Sequence, residues 1–557
     1  MSKNLSALSG RKGLEDNLFR KLKAAAANTG TPSPERLREL ADEYLFGQAN
    51  LLGAASFYDF LKPGNEGKKA WVCNGSACLV AGTQSGIHKA LENVFQPNEI
   101  GEVCCLGRCH ENGAFKVGSQ NYSGIKPENI PDILLEKQAP VSDRYTVASA
   151  GEKVLTSDFP GVPAYYETLR KVLDHDPALV LDQIKFSGLR GRGGAGYPLG
   201  LKLESCKRAS GDSKYIVCNA DEGDPGSYSD RYLLEYQPHS VLFGMIAAGF
   251  AIGAHDGVLY IRTEYPDALR IIREAIAELE KGGYCGADIL ESGFSFRFHI
   301  IEAAGAYVCG EETALLSSIE GQRPEVRIRP PYPVEYGLFG KPTVVSNVET
   351  LASFHFILEK GAGVYRRLGT TKCTGTKLVS VNGLFKKPGV FEVPMGTPLR
   401  VLTDQLAGGF SQPVKALQIG GPLGGIVPVS ALDELTLDFE SFTEKGFSLG
   451  HGSMLAIPAD FPMIRYLAHL FEFSADESCG KCFPCRLGTV RGKELIEKAM
   501  HQDYLIDPEL FTDLLETLEN GSLCGLGFGL PMPVRNALQH FQDELQPFFQ
   551  KDLNPQP

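Results

Sequence analysis

The chain has 557 residues, 43% hydrophobic and 22% charged, values ordinary for soluble globular protein, and it is too long for one core, so about three or four domains are expected. Its net charge of -12 excludes nonspecific attraction to nucleic acid or to an anionic membrane. The start, MSKNLSALSGRKGLEDN, lacks the apolar run of a signal peptide and the Arg-rich character of a transit peptide, and the apolar stretch from Val241 is broken by His255 and Asp256 short of a membrane span; a cytoplasmic protein without a membrane span is expected.

From about Leu14 to Phe60 the texts DNLFRKLKAAAA and PERLRELADEYLFG carry apolar residues at three- and four-residue steps, predicting two or three short helices. KKAWVCNG then reads as a strand, GIHKALENVF as a helix and GEVCCLGRC as a strand running into a loop, a small α/β unit ending near Lys137. Cys73 and Cys78, then Cys105 and Cys109, form two pairs that each begin where a predicted strand ends. Four thiolates on adjacent loops suit a 2Fe-2S cluster, and structural zinc would accept the same set. Cys104 precedes Cys105 directly, so spacing alone does not choose between them. QAPVSDRYTVASAGEK reads as a linker.

Between about Val154 and Ser353, YIVCNADE, GVLYIRTE and FHIIEAAG alternate with helical text, which predicts an α/β layer architecture. GLRGRGGAGYPLGLK places glycine at 191, 193, 194 and 196, where missing Cβ atoms let backbone N–H groups turn toward a phosphate, with Arg190, Arg192 and Lys202 adding positive charge. A flexible glycine turn is the plainer reading of the same text. CNADEGDPGSYSDR and GAYVCGEETALLSSIEGQRP put carboxylates where strands should end, the edge at which ligands sit in α/β sheets, although such clusters also form solvated rims. Glu311 or Glu312 would accept a hydrogen bond from a ribose 2'-hydroxyl and repel a 2'-phosphate, favouring NAD over NADP. Tyr197 and Tyr332 offer aromatic faces to a planar ring, or fill core or turn positions.

After Lys372, TKLVSVNGLFKKPGVFEVPMGTPLRVLTDQLAGG reads as two strands, a turn and a helix in a small α+β module, and from about Pro462 the pattern is helical again. There ESCGKCFPCRLG supplies Cys479, Cys482 and Cys485 at C-x2-C-x2-C spacing, and GSLCGLG supplies Cys524. Three crowded sulfurs and one remote thiolate suit a 4Fe-4S cluster, whereas zinc sites usually pair two close couples. Of the remaining cysteines, Cys206, Cys218, Cys285, Cys309 and Cys373 read as small core residues. A zinc-stabilised interaction scaffold with a vestigial nucleotide fold is the contrasting, non-enzymatic reading.

Together GLRGRGGAGYPLGLK, CNADEGDPG, GAYVCGEETAL, GKPTVVSNVET and ESCGKCFPCRLG with SLCGLG resemble the flavin-bearing NADH-oxidising subunit of respiratory complex one and its soluble relatives, over about Val154 to Phe549. ASFYDFL with CNGSAC and CLGRC resembles the thioredoxin-like 2Fe-2S partner subunit, fused in front. The resemblance implies a thioredoxin-like 2Fe-2S domain over residues 1–138, an FMN- and NAD-binding α/β domain over 154–370, a ubiquitin-like β-grasp domain over 371–455 and a helical 4Fe-4S domain over 456–557. It implies FMN contacts from Gly191, Arg192, Gly194, Lys202, Asn219, Asp221, Tyr307, Gly310, Asn347 and Thr350, and NADH near Tyr197, Glu222, Glu311, Glu312 and Tyr332. It also implies Cys105 rather than Cys104 as ligand, and departures from the family pattern at Tyr197, Ser205, Asp224, Tyr332 and Ser346.

Hydride carries two electrons and an iron-sulfur cluster accepts one, so the family's flavin stands between them and no protein acid or base is required. Fused relatives are diaphorase subunits of NAD-reducing nickel-iron hydrogenases and β subunits of metal-dependent formate dehydrogenases. Retention of all four N-terminal cysteines points to the formate dehydrogenase group, with formate oxidised on a partner molybdenum or tungsten subunit, since neither that site nor a nickel-iron site has ligands on this chain.

Overall fold

The computed structural model describes residues 13–14, 17–26, 30–136 and 144–550. The first helices are Leu18–Ala26, Pro34–Tyr44 and Gln48–Ala55, at the positions their apolar steps predict. Ser33 caps the second of them through Arg36 N, and Pro34 occupies its first position, where a missing N–H breaks no helical bond. Leu18, Phe19, Leu22, Leu40 and Leu51 bury against Val217, Val258, Tyr260 and Val345 of the central sheet described below. This segment therefore covers one face of that sheet, although it is contiguous with the N-terminal α/β unit.

That unit is built on β1 (Ala70–Cys73), β2 (Ile100–Val103), β3 (Phe115–Val117) and β4 (Gln120–Tyr122), in the order β2-β1-β3-β4. β1 and β2 run parallel, so Cys73 and the Cys104–Cys109 loop leave the sheet at the same edge. The described part of the predicted linker contains a strand, β5 (Thr146–Ser149), which pairs in parallel with a strand of the third sheet. The text hides it because this edge strand is largely half-exposed and shows no clean alternation.

The central sheet is parallel throughout, with β6 (Tyr215–Ala220), β7 (Asp256–Ile261), β8 (Arg297–Glu302) and β9 (Thr343–Asn347) in the order β8-β7-β6-β9. The apolar stretch from Val241 belongs to the buried helix Pro238–Ile252 and runs on into β7, as its uniform hydrophobicity predicts. The third sheet takes β10 (Thr376–Val381), β11 (Gly389–Pro394), β12 (Val414–Ile419), β13 (Gly425–Pro428) and β14 (Met454–Pro458), in the order β13-β12-β14-β10-β11-β5. The module after Lys372 thus holds three strands beyond the two expected from its first half. Helices Met463–Asp476, Phe483–His501 and Pro508–Gly521 follow, and no described helix is long and apolar enough to cross a membrane.

Candidate functional site

β6 and β9 end side by side, Asn219 opposite Asn347, so the loops that follow them open at the same carboxyl edge of the parallel sheet. Into this edge comes the glycine-rich loop, which links helices Pro177–Ser187 and Leu199–Arg208 and is closed by Gly191 N–H donating to Tyr197 O at 2.9 Å. Arg192 N–H donates to Thr350 Oγ1 at 2.8 Å, and Thr350 in turn donates to Asn347 Oδ1 at 2.7 Å. A Cβ on Gly193 would stand 3.0 Å from Asn347 Cβ, and Gly194 has φ +122, a conformation side chains resist, 3.8 Å from His451 N by the same construction. The bare backbone is therefore pressed against Asn347 on one side, with the Gly450–His451 turn at ordinary contact distance on the other.

The positive charges expected to face this loop point elsewhere. Arg190 Nη1 donates to Glu440 Oε1 at 2.6 Å, and Lys202 Nζ donates to Glu312 Oε2 at 2.7 Å. Arg192 is 1% exposed and its guanidinium reaches back to Thr374 O at 2.5 Å and Tyr365 OH at 3.2 Å. Its Nε and Nη1 have no hydrogen-bond partner among the described residues. Arg192 thus offers the loop its backbone and a buried charge from behind, rather than an exposed side-chain contact.

Asn219 Nδ2 donates to Gly310 O at 2.8 Å, joining the loop after β6 to the Tyr307–Gly310 turn after β8. Asp221 is buried beside them, and burial pushes its carboxyl up to about 8 against the pull of Arg262. Glu311 Oε2 caps helix Glu312–Ile319 by accepting from Thr313 N and Ala314 N, both at 2.9 Å, while Arg329 Nη1 lies 3.2 Å from Glu312 Oε1. Tyr197 and Tyr332 are 55% and 52% exposed, so neither ring is a core residue.

Glu222, which the resemblance sets near NADH, lies in the same loop after β6. It is 5% exposed and fully engaged: Ser227 Oγ and Asp230 N donate to Oε1 at 2.6 and 3.0 Å, and Arg231 N and Tyr265 OH to Oε2 at 3.0 and 3.1 Å. This carboxylate caps helix Ser229–Tyr236 from inside. The acidic side chain that does face the Tyr307 turn is Asp224, which accepts from Tyr307 OH at 2.8 Å.

Tyr307 also joins the site to the C-terminal cysteines. Its N–H donates to Glu477 Oε2 at 2.8 Å and its ring meets Phe473 edge-on at 4.9 Å. Phe473 packs with Val308, Ala314, Cys479, Cys485 and Cys524, with Cys482 at the margin. Cys482 precedes helix Phe483–His501, Cys485 lies in its first turn and Cys524 precedes helix Gly525–Gly529, so two helix N-termini aim at one sulfur group. Burial pushes the Cys485 thiol up to about 11 and that of Cys524 to about 12, which bound cations would reverse.

In the N-terminal unit Cys105 Sγ lies 3.4 Å from Cys109 Sγ, and Cys73 touches both Cys78 and Cys105. Cys104 packs both against the core that holds this group and against the C-terminal cysteine cluster. Gly226 N–H, from the loop after β6, donates to Cys109 Sγ at 3.2 Å, and Arg262 Nη2, just past β7, donates to Cys105 O at 2.8 Å. Both sulfur groups therefore border the loops that shape the carboxyl edge of the central sheet.

The chain matches the Nuo51 FMN-binding domain over residues 184–355, the NADH-ubiquinone oxidoreductase-F iron-sulfur binding region over 465–547 and the thioredoxin-like [2Fe-2S] ferredoxin over 6–138. It is 42% identical over 385 residues to the F 2 subunit of the NADH-quinone oxidoreductase of Rhizobium meliloti (strain 1021), covering 68% of this chain and 91% of that one. The chain belongs to the complex I NADH-binding flavoprotein family. This flavoprotein is also 34% identical over 528 residues to the NAD-reducing hydrogenase HoxS subunit alpha of Cupriavidus necator, covering 88% of this chain and 85% of that subunit. A crystal structure of NAD+-reducing [NiFe]-hydrogenase in the H2-reduced state superposes with a TM-score of 0.85 at 29% identity, over 96% of this chain and 94% of that one.

The cofactors of the flavoprotein are thus FMN, a 2Fe-2S cluster and a 4Fe-4S cluster, and it moves electrons between NADH and the clusters. The residues present fit these groups: two converging sets of free cysteines, all buried except the half-buried Cys482, and a glycine cradle beside Arg192, whose buried Nε and Nη1 lack partners. The zinc scaffold is set aside by the same family membership. Sequence reasoning missed Asp230 and His451, which close the cradle from behind: Asn347 Nδ2 donates to both Asp230 oxygens at 3.1 Å, and His451 Nε2 lies 3.5 Å from Asp230 Oδ2. His451 sits 224 positions from its partner Ser227, and nothing in GHG announces the contact.

Proposed function

We propose that this flavoprotein is the diaphorase subunit of a formate dehydrogenase, passing electrons from a partner molybdenum or tungsten subunit to NAD+. Flavin, when bound, supplies the exchange between two-electron hydride chemistry and one-electron transfer. Gly191, Gly194, Asn347, Thr350 and the Arg192 backbone hold its phosphate; Lys202, Asn219, Asp221, Tyr307 and Gly310 line the remainder of its site. The exposed rings of Tyr197 and Tyr332 and the Glu311–Glu312 pair flank the approach for NAD(H), where Glu312 orients the ribose and disfavours a 2'-phosphate. These side chains position and exclude water; none holds or moves a proton for the transfer.

The observation that carries the reading is the Tyr307 turn, which touches the loop after β6 through Asp224 and the C-terminal cysteine cluster through Phe473. In this reading Cys479, Cys482, Cys485 and Cys524 hold the wire to the partner, and Cys73, Cys78, Cys105 and Cys109 hold the second cluster. Phe483, Leu487 and Val490, at one-face spacing on the helix that carries Cys485, are 67%, 58% and 43% exposed, an apolar face that suits docking of the next electron carrier.

Formate as the partner's substrate is supported by retention of four converging N-terminal cysteines. A hydrogenase partner is the second reading, favoured by the near full-length likeness to the NAD-reducing hydrogenase subunit. NAD+ reduction by the complex isolated anaerobically from its host decides between them: reduction with formate and not with hydrogen supports the proposal, and the reverse assigns the flavoprotein to a hydrogenase.

A further inference from the structure

The β-grasp module reaches into the cradle with one side chain, His451, which is 6% exposed and lies just before β14. Ser227 Oγ donates its only proton to Glu222 Oε1 at 2.6 Å, so at the 2.9 Å contact between Ser227 Oγ and His451 Nδ1 the imidazole is the donor. The other ring nitrogen, Nε2, then faces Asp230 Oδ2 at 3.5 Å and Glu222 Oε1 at 3.9 Å. A lone pair directed at two buried carboxylates is repelled by both, and a proton on Nε2 removes the conflict. Glu222 already accepts at both oxygens from the donors named above, whereas Asp230 binds Asn347 Nδ2. The Nε2 proton therefore acts chiefly on Asp230.

We propose that His451 is a positioning residue of the flavin-phosphate site: protonated on Nε2, it fixes Asp230, and through it the Asn347 amide, and sets a buried positive charge behind the glycine-rich loop. The inference rests on the reading of that loop as the FMN-phosphate site. It accounts for the charge that Arg190 and Lys202 do not bring, because both are paired with Glu440 and Glu312 on other sides. It also makes the β-grasp module a contributor to flavin binding rather than a spacer. The charged groups around the imidazole are Glu222, Asp224 and Asp230 from the loop after β6 and the helix it caps, and Lys377 from β10. Burial alone would lower the imidazole's pKa, and the Asp230 carboxylate 3.5 Å from Nε2 outweighs it, holding it up at about 9. Since 6.5 is the ordinary value, the charge is complete at neutral pH and is lost as pH rises through about 9.

The test is flavin dissociation from the full chain, followed by recovery of flavin fluorescence between about pH 7 and about pH 9.5, with FMN and with riboflavin as probes. For the wild type, FMN affinity is expected to fall about threefold across that range, toward the roughly tenfold loss reached only when the imidazole is fully neutral, and riboflavin, which lacks the phosphate, to stay constant. His451→Gln should bind FMN about tenfold more weakly at neutral pH and show a flat profile. Adding Asp230→Asn should return affinity to within about threefold of the wild type, because the uncompensated charge is then gone. His451→Gln with wild-type FMN affinity and pH profile would overturn the inference. The wild-type profile needs no variant, so a flat wild-type curve overturns it as well. A wild-type chain that retains neither flavin would refute the underlying reading instead.

Discussion

Gly107 lies in the loop between Cys105 and Cys109 with φ +66, and a Cβ added there would stand 2.4 Å from Tyr265 Cε1 and 2.8 Å from its hydroxyl. Tyr265 is 1% exposed and donates to Glu222 Oε2 at 3.1 Å, while Gly107 O accepts from Arg231 Nη1 at 3.0 Å. Gly107→Ala therefore forces the ring or the cluster loop to move. The left-handed backbone costs about 1 kcal/mol, overpacking about 1–3 kcal/mol and loss of a charged hydrogen bond about 1.5–3 kcal/mol, together about 3.5–7 kcal/mol. Gly82, in the same N-terminal unit, has the same φ of +66 and nothing within 4 Å of its Cβ position, so Gly82→Ala isolates the backbone contribution. That control should cost only about 1 kcal/mol. Denaturant unfolding followed by the visible circular dichroism of the 2Fe-2S cluster reads the unit that carries both positions. A Gly107→Ala midpoint equal to that of Gly82→Ala would refute the claim that this loop is locked onto the flavin-binding domain through Tyr265.

Asp221, held up at about 8 by burial, ionises near the ordinary value of 3.8 once unfolded, so it lowers stability increasingly as pH rises from 3.8 and fully above about 8. Asp221→Asn should accordingly be more stable than the wild type at about pH 9, with the difference shrinking toward about pH 5 in thermal melts. Lys377 and Glu349 form an ion pair with both side chains buried, and Glu349 Oε1 also accepts from Leu378 N at 3.0 Å. Lys377→Met leaves that carboxylate uncompensated and should destabilise the protein by about 3–5 kcal/mol, and a loss under about 1 kcal/mol would count against it. Glu312→Gln should raise the ratio of NADPH to NADH oxidation by about tenfold in dye-coupled assays, an unchanged ratio showing that Glu312 does not face the ribose.

Much of this organisation is written in the chain. β6, β7 and β8 are apolar runs that end at Ala220, Ile261 and Glu302, just where the polar texts begin, so their register at one edge follows from alternation with helices. The cysteine groups were legible because metal ligands need short spacings, and the buried sulfurs do converge. The direction of side chains was not legible: composition placed Arg192 at the phosphate, yet its guanidinium turns inward to Thr374 O. Glu222 carried the same carboxylate text as Asp224, and only the fold shows that it is enclosed by Ser227, Arg231 and Tyr265. β5 escaped notice as a short edge strand in polar text, and its partner β11 lies more than two hundred residues onward, beyond any local signal.

Low-temperature electron paramagnetic resonance of the isolated chain reduced with NADH, with iron and flavin counted on the same sample, tests the electron path most directly. The account predicts about six irons and one FMN per chain, with a 2Fe-2S signal and a separate 4Fe-4S signal, the latter lost in Cys524→Ala while flavin remains bound. Bound zinc without flavin, or a 4Fe-4S signal that survives Cys524→Ala unchanged, would contradict it.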